Sequence, residues 1–369
     1  MIGDPIADLR SQNGSLISVY VDRPSPGGFG ALLTDLVRPV RERSRWMGRR
    51  VEKSVRADAD RIHDLAETLE VGSAPAYAIF ASGLDDLFLL EPLPHPTPNV
   101  STIGPRPYLR PLRAAPRALR SGIVVADRAL ARIFVGFEGV IDELSGPADA
   151  EIGKSNFGGF SGYQEKGVRA HADEVSARLW RKAGARLLEQ HLNQPFDYLA
   201  IGGHEETVEE IARSLHPYLA RLPRATFVAN PNGMRLATLR AEMAVHDIEI
   251  GRHRQEALAG RICDTAWGGG NAVLGLNSTL EAANAQAIDT LAVAGPFTRS
   301  GVICSQCGHL SRNGDSCPMC DSPMFAVDDV VAAVMDATVL AGGRAYQLNV
   351  ASPLDVEGIG ALTRFPVPS

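Results

Sequence analysis

The chain has 369 residues, room for two to four domains at roughly 100 to 200 residues each, so one small module is excluded. Hydrophobic residues make up 45% and charged residues 22%, the balance of ordered globular cores rather than of a disordered chain. Lys plus Arg number 37 against 43 Asp plus Glu, a net charge of −6, so no overall field draws a polyanion and any nucleic-acid surface has to be a local patch.

No stretch approaches the roughly 18 apolar residues of a membrane span, and MIGDPIADLRSQ has neither a basic n-region nor an apolar h-region. The expectation is a cytoplasmic protein with no membrane partner. In chain order, the apolar β-branched run at 16–21 (LISVYV) predicts a strand, with the turn-forming RPSPGG closing it. Val40, Met47, Val51, Val55, Ile62, Leu65 and Leu69 fall at steps of seven, four and three, which predicts one long helix over 37–69. Strands at 76–81 and 87–90 complete a first α/β unit. From Pro92 to Pro116 the chain carries eight of its 24 prolines, which reads as an extended crossover or a domain boundary because proline cannot donate to a sheet ladder.

Strands at 122–126, 131–136 and 139–143 then open a second domain. The glycine-rich GKSNFGGFSG (153–162) should be a flexible projecting loop, followed by a helix whose buried stripe is Val168, Ala172, Val175, Leu179, Ala183 and Leu187. A strand at 198–202, a helix over 207–219, a strand at 226–229 and helical pattern over 235–259 alternate as in a parallel or mixed sheet with crossover helices. Ser278 and Glu281 have the spacing of a capping box opening a helix. A strand at 291–294, a helix over 327–340 and strands at 346–350 and 361–365 finish the chain. The fold class is therefore α/β (α+β) with mixed sheets.

Three groups of residues carry chemistry. Cys304-Ser-Gln-Cys307 and Cys317-Pro-Met-Cys320 are two CxxC knuckles nine residues apart. Facing knuckles make a tetrahedral four-sulfur cage that suits structural Zn2+ and leaves no open coordination position, a redox pair or a metal-free relic of the cage being the alternatives. His309 stands beside the first knuckle, outside a shell that four sulfurs already fill. Second, Arg38, Arg41, Arg43, Arg45, Arg49, Arg50, Lys53, Arg56 and Arg61 face four acids, a local excess of +5, with Arg41, Arg45, Arg49 and Arg56 on one helix face as an RNA backbone would require; a solvated face is the bland reading. Third, the helix after the glycine loop brings Lys166, Arg169, Arg178, Arg181, Lys182 and Arg186. The loop lacks GxxxxGK[ST] and the strand-GxGxxG-helix context of nucleotide folds, and no GxSxG accompanies Ser161, His171 or Cys263. Cys263 reads as a small buried residue, His204 and His216 as helix-end or surface residues, and Trp46, Trp180 and Trp267 as packing residues.

In this order the parts resemble the archaeal and eukaryotic class-1 peptide release factor and Pelota family, and within it a bacterial branch of Balon-like ribosome hibernation factors. LISVYV with its basic helix is similar to the family's N-domain, and GIVVADRALARIFVG to the start of its middle domain. Gly158, Gly159, Phe160 and Ser161 stand where release factors carry GGQS, and YLAIGG, GLNSTLEAANAQAIDTLAVAG, the cysteine ribbon and GIGALTRF are similar to the third domain. The resemblance implies three domains: 1–115 of decoding-centre type, 116–194 with the peptidyl-transferase-centre loop, and 195–369 with a zinc ribbon at 301–325. Phe160 replaces the glutamine that positions water at the peptidyl-tRNA ester, and no NIKS-like codon reader is present. The function implied is thus a monomeric, non-catalytic factor that occupies and protects the ribosomal A site. It would contact 16S and 23S rRNA through Arg41, Arg45, Arg49, Arg50, Lys166, Arg169, Arg178 and Arg181, with elongation factor Tu as a further partner. The alternatives are a rescue or release factor hydrolysing peptidyl-tRNA through Gly158 to Gln164, and an adaptor that uses the ribbon for protein contacts.

Overall fold

The computed structural model describes residues 4–11, 13–22, 28–66, 74–114, 117–144, 148–149 and 163–367. Contacts divide the chain into two compact units, one of residues 1–115 and 255–369 and the other of 116–254.

The first unit begins with a short helix α1 (Asp4–Ala7) and strand β1 (Leu16–Asp22). A four-stranded antiparallel sheet has the order β3-β2-β1-β4, from β2 (Ala76–Ser82), β3 (Leu87–Leu93) and β4 (Val100–Gly104). Alternation along β1 sends Ile17, Val19 and Val21 to one face and Tyr20 to the other. The first face packs on α2 (Phe29–Ser44) and α3 (Arg49–His63) through Leu33, Val37, Val40, Val55, Ala59 and Ile62.

The single helix expected over 37–69 is thus two. Met47 and Val51 keep the apolar spacing and pack against this core, but Gly48 takes φ +90°, ψ 151°, a conformation only glycine adopts without strain, and it turns the chain between the helices. The proline-rich stretch also holds more structure than expected. It contains β4, on the sheet edge where flanking Pro98 and Pro105 cost no ladder bond, and a short helix α4 (Arg110–Ala114).

The second unit is built on the sheet β10-β9-β5-β6-β7, with β8 (Ala148–Asp149) beside β6. Its strands are β5 (Ser121–Ala126), β6 (Leu130–Phe137), β7 (Val140–Glu143), β9 (Tyr198–Gly202) and β10 (Arg224–Phe227). β5, β9 and β10 run parallel, and β5, β6 and β7 antiparallel, so the sheet is mixed as expected. Val124, Ala126, Leu199 and Ile201 point to helices α5 (Tyr163–Asn193) and α6 (Glu205–Ser214), which supply Leu179, Trp180, Ala183, Leu187, Val208 and Ile211; a short α7 (Pro217–Ala220) follows. Ile123, Val125, Tyr198 and Ala200 point the other way, to Leu239 and Met243 of α8 (Leu236–Trp267). The sheet continues through β9 and β10, so a boundary at 194/195 falls inside one fold unit: a parallel strand returning from a long crossover helix joins the sheet it left.

The C-terminal half of α8 gives Ala259, Ile262 and Cys263 to the first unit, against a mixed sheet of order β11-β17-β12-β16. Its strands are β11 (Ala272–Leu274), β12 (Ile288–Ala294), β16 (Arg344–Leu348) and β17 (Ile359–Thr363). Helices α9 (Leu276–Asn284) and α10 (Val330–Leu340) cover the opposite face. No capping box opens α9. Gly275 at φ +77° starts the helix, and Ser278 lies inside it. The N-cap expected there occurs instead at α10, where Asp329 accepts from the Ala332 N–H at 3.3 Å. A small antiparallel sheet β14-β13-β15, of β13 (Gly301–Cys304), β14 (Leu310–Ser311) and β15 (Met324–Val327), packs Ile303 and Leu310 into the same core. None of the described helices is long and apolar enough to cross a membrane.

Candidate metal centre and basic surfaces

Each cysteine pair sits on a turn of the same design. After Cys304 the Gly308 N–H donates to the Cys304 carbonyl at 3.0 Å, and the Cys304 N–H to the His309 carbonyl at 2.9 Å. After Cys317 the Asp321 N–H donates to the Cys317 carbonyl at 2.9 Å, and the Cys317 N–H to the Ser322 carbonyl at 2.9 Å. The residue following each second cysteine is left-handed, Gly308 at φ +78° and Asp321 at φ +56°. β13 and β15 then bring the two knuckles face to face.

The four sulfurs lie within 4.8 Å of one another. Cys304 and Cys320 are 3.5 Å apart, Cys307 and Cys317 3.5 Å, and Cys307 and Cys320 3.6 Å. A tetrahedron of thiolates about 2.3 Å from a central ion has edges of about 3.8 Å, whereas a disulfide brings its sulfurs to about 2.05 Å. The spacing fits a shared ion, and all four cysteines are free thiols. Hydrogen bonds from the Ser322 side chain and backbone hold the Cys320 thiol down at about 6, while desolvation and the neighbouring thiols push Cys307 up to about 12. Cys320 thus gives up its proton more readily than Cys307, and a cation bound among thiolates favours their deprotonated form. Arg106 packs against the first knuckle so closely that a Cβ at Gly308 would fall 2.5 Å from its Nη2. Burial lowers the Arg106 pKa, and the Cys304 and Cys307 sulfurs act to raise it. His309 is half-buried and outside the donor cluster.

The basic residues of the first unit are split by the turn at 45–48. Arg41 on α2 pairs with Asp60 at 2.6 Å, Arg38 with Asp35 at 3.0 Å, and Arg56 on α3 with Glu52 at 2.7 Å. Arg43 bonds Asp328 and the Ala326 carbonyl, and Arg61 covers the Phe88 ring. Arg45, Arg49, Arg50 and Lys53 are exposed and have no ion-pair partner among the described residues. The one-face arrangement of Arg41, Arg45, Arg49 and Arg56 is replaced by an elbow, with Arg45 in the turn and Arg49 and Arg50 opening α3. Trp46, expected to pack, is 91% exposed at the same turn, and Trp267 is 70% exposed at the end of α8. Trp180 does pack, its Nε1 donating to the Asp127 carbonyl at 3.2 Å.

In the second unit Arg178, Arg181 and Lys182 are exposed on α5, Arg178 within 3.6 Å of Glu174. Gln164, Lys166, Arg169 and His171 fall in the early turns of α5, where the backbone path alone is described. Gly158, Gly159, Phe160 and Ser161 lie outside the described residues. Cys263 is buried in an apolar cluster that raises its thiol pKa, foremost by desolvation. His204 and His216 stand at the starts of α6 and α7, as expected of helix-end residues.

One group of site-grade interactions had no sequence signal. Arg110 donates Nε to Gln347 Oε1 at 3.0 Å, Nη1 to Asp329 Oδ2 at 2.7 Å, and Nη2 to the Gly295 and Phe297 carbonyls at 3.1 and 2.8 Å. The Tyr108 hydroxyl donates to the same Asp329 oxygen at 3.1 Å. Arg113 adds a pair to Asp336 at 2.6 Å. These bonds join the N-terminal and C-terminal segments within the first unit. An open cleft of about 730 Å³, lined by Phe297, Arg299, Asn349 and Asp355 among others, lies past the ends of parallel strands β12 and β16.

The arrangement defines a mixed α/β chain with four close cysteines that could hold a metal ion, and with basic surfaces. No family model matches the chain, and no curated protein matches it. Solved structures do. The archaeal translation termination factor aRF1 is 16% identical, over 98% of this chain and 95% of that chain, with a TM-score of 0.25. Pelota of Archaeoglobus fulgidus is 15% identical, over 79% and 80%, with a TM-score of 0.38. A chain of ribosome-bound archaeal Pelota and ABCE1 is 16% identical, over 79% and 78%, with a TM-score of 0.45.

Proposed function

We propose that this chain is a translation factor of the release factor and Pelota kind that binds the ribosomal A site without catalysis and protects idle ribosomes. The observation that carries the proposal is the elbow at 45–53, where four solvated cations stand without carboxylate partners among the described residues, on a protein of net charge −6. Exposed ion pairs are worth about 0–1 kcal/mol, so Arg41 can exchange Asp60 for a phosphate at little cost, and neutralising phosphates releases condensed counterions. Arg178 and Arg181, with Lys166 and Arg169 earlier on the helix, give the second unit its own rRNA-facing surface. In this reading the N-terminal region lies at the decoding centre on 16S rRNA. The segment around Gly158 and Gly159 reaches the 23S peptidyl transferase centre, where Phe160 cannot polarise a water. Elongation factor Tu is the partner that would deliver it.

The ion in the cage is zinc in this proposal, held by Cys304, Cys307, Cys317 and Cys320. Its role is structural, since four sulfurs leave no position for a substrate or water. Charge reversal of Arg45, Arg49 and Arg50 to glutamate, followed by co-sedimentation with 70S ribosomes, tests the proposal. Binding should be lost, and it should fall with rising salt in the wild type. Unchanged co-sedimentation of the triple variant would refute this reading and favour an adaptor working through the ribbon.

A further inference from the structure

The turn between α2 and α3 is built, and it is built to hold Trp46 in solvent. The Arg45, Trp46 and Met47 N–H groups donate to the Glu42, Arg43 and Ser44 carbonyls at 3.4, 3.2 and 3.0 Å, and the Ser44 hydroxyl donates to the Arg41 carbonyl at 2.8 Å. Gly48 fixes the exit of the turn with its positive φ. Met47 is drawn inward onto the core, which sends its neighbour outward. The result is an indole 91% exposed, with no ring or cation partner over it among the described residues. A residue that normally buries most of its large apolar surface here stands exposed, in a segment with Arg45, Arg49, Arg50 and Lys53, which have no ion-pair partner among the described residues. Of the two acids in this segment, Glu52 is held by Arg56 at 2.7 Å, and Glu42 has no ion-pair partner among the described residues.

Resting on the RNA-binding reading above, we infer that Trp46 is a stacking platform for an unpaired base of single-stranded RNA, with the four cations holding the phosphates on either side. An aromatic face takes any base, while basic side chains follow the backbone; this pairing of parts is how proteins hold single strands without reading sequence. A protein-binding anchor is disfavoured by the surround, because the four like charges of the 45–53 segment oppose the close approach of all but an anionic surface.

The test uses the full chain and a ten-nucleotide oligouridylate, with a blunt RNA duplex as control. Trp46→Ala should weaken single-strand binding about tenfold, within the range that base stacking on an aromatic side chain supplies, and Trp46→Phe should restore most of it. Tryptophan emission should be quenched by the single strand in the wild type and not in Trp46→Phe, although that variant still binds. The duplex, whose bases are already stacked, should quench neither. If Arg45→Glu with Arg49→Glu abolishes binding while Trp46→Ala binds as the wild type and wild-type emission does not change, the platform is refuted and RNA binding stands on charge alone. If no variant, the wild type included, binds RNA or ribosomes, the functional reading falls and the platform with it. Crosslinking of Trp46 on ribosomes to protein and not to RNA would also overturn the inference.

Discussion

Replacing Arg110 with methionine isolates the interaction that joins the two ends of the chain within the first unit. The substitution keeps an unbranched apolar stem and removes four hydrogen bonds: to Gln347, Asp329 and the carbonyls of Gly295 and Phe297. Both side chains of the Arg110–Asp329 pair are 9% exposed, so solvent cannot replace the lost guanidinium. Asp329 is left with the Tyr108 hydroxyl and the Ala332 N–H, neither of which carries charge. Breaking a buried pair from one side costs about 3–5 kcal/mol. For a unit of this size that lowers Tm by roughly 10 °C. Calorimetry of wild type and Arg110→Met reads the shift, and Arg110→Lys should fall between them because an ammonium cannot reproduce the planar fork. In a cycle with Asp329→Asn, the double variant should lose much less than the sum of the single losses. A loss under about 1 kcal/mol for Arg110→Met, or additive losses in the cycle, would refute the assignment of this cluster as the fastening of α4 to α10.

Metal analysis of the purified protein should find zinc near one equivalent per chain, and Cys304→Ser with Cys307→Ser should lose it. Ile303 and Leu310 on β13 and β14 belong to the core under α9 and α10, so the same variant should also melt earlier; a metal-free, fully stable protein would remove the claim. Asp336 offers a pH test. Burial, opposed by Arg113, Arg106 and Arg10, holds its carboxyl at about 6. Between its unfolded pKa of about 4 and that value, the folded protein keeps a proton that the unfolded chain has lost. This group's contribution to stability therefore declines as pH rises through the window. Subtracting the stability–pH curve of Asp336→Asn from that of wild type should expose the decline between about pH 4 and 6, and parallel curves would contradict it. Gly122 gives a packing test: an added Cβ would meet Phe196 at 2.6 Å, so Gly122→Val should destabilise the second unit by about 2 kcal/mol or more in urea unfolding.

The strands and helices were legible where hydrophobic period and turn chemistry agree, as in β1, β5, β9 and α5. The helix break at Gly48 was not, because Val40, Met47 and Val51 keep one apolar spacing across it and a lone glycine is the sole cue. That same break removed the single basic face and turned Trp46 from an expected packing residue into an exposed one. β4 was hidden by its flanking prolines, since their penalty applies to ladder bonds and an edge strand has few to lose. The limit at 194/195 came with the family resemblance, and no local pattern marks β9 as returning beside β5. The cysteine cage was legible because two short covalent spacings fix most of its geometry. Arg110 and Asp329 lie 219 residues apart, and no local pattern marks a contact made by the chain's two ends.

The proposed function is occupancy of the ribosomal A site without chemistry. A cryo-EM map of the purified protein on vacant bacterial 70S ribosomes, with peptide release from P-site peptidyl-tRNA measured in parallel, tests it most directly. The expected result is A-site density, with the 45–53 elbow against 16S rRNA, and no release above background. Release that depends on Gly158, Gly159 and Gln164 would contradict it, and so would an empty A site at saturating protein.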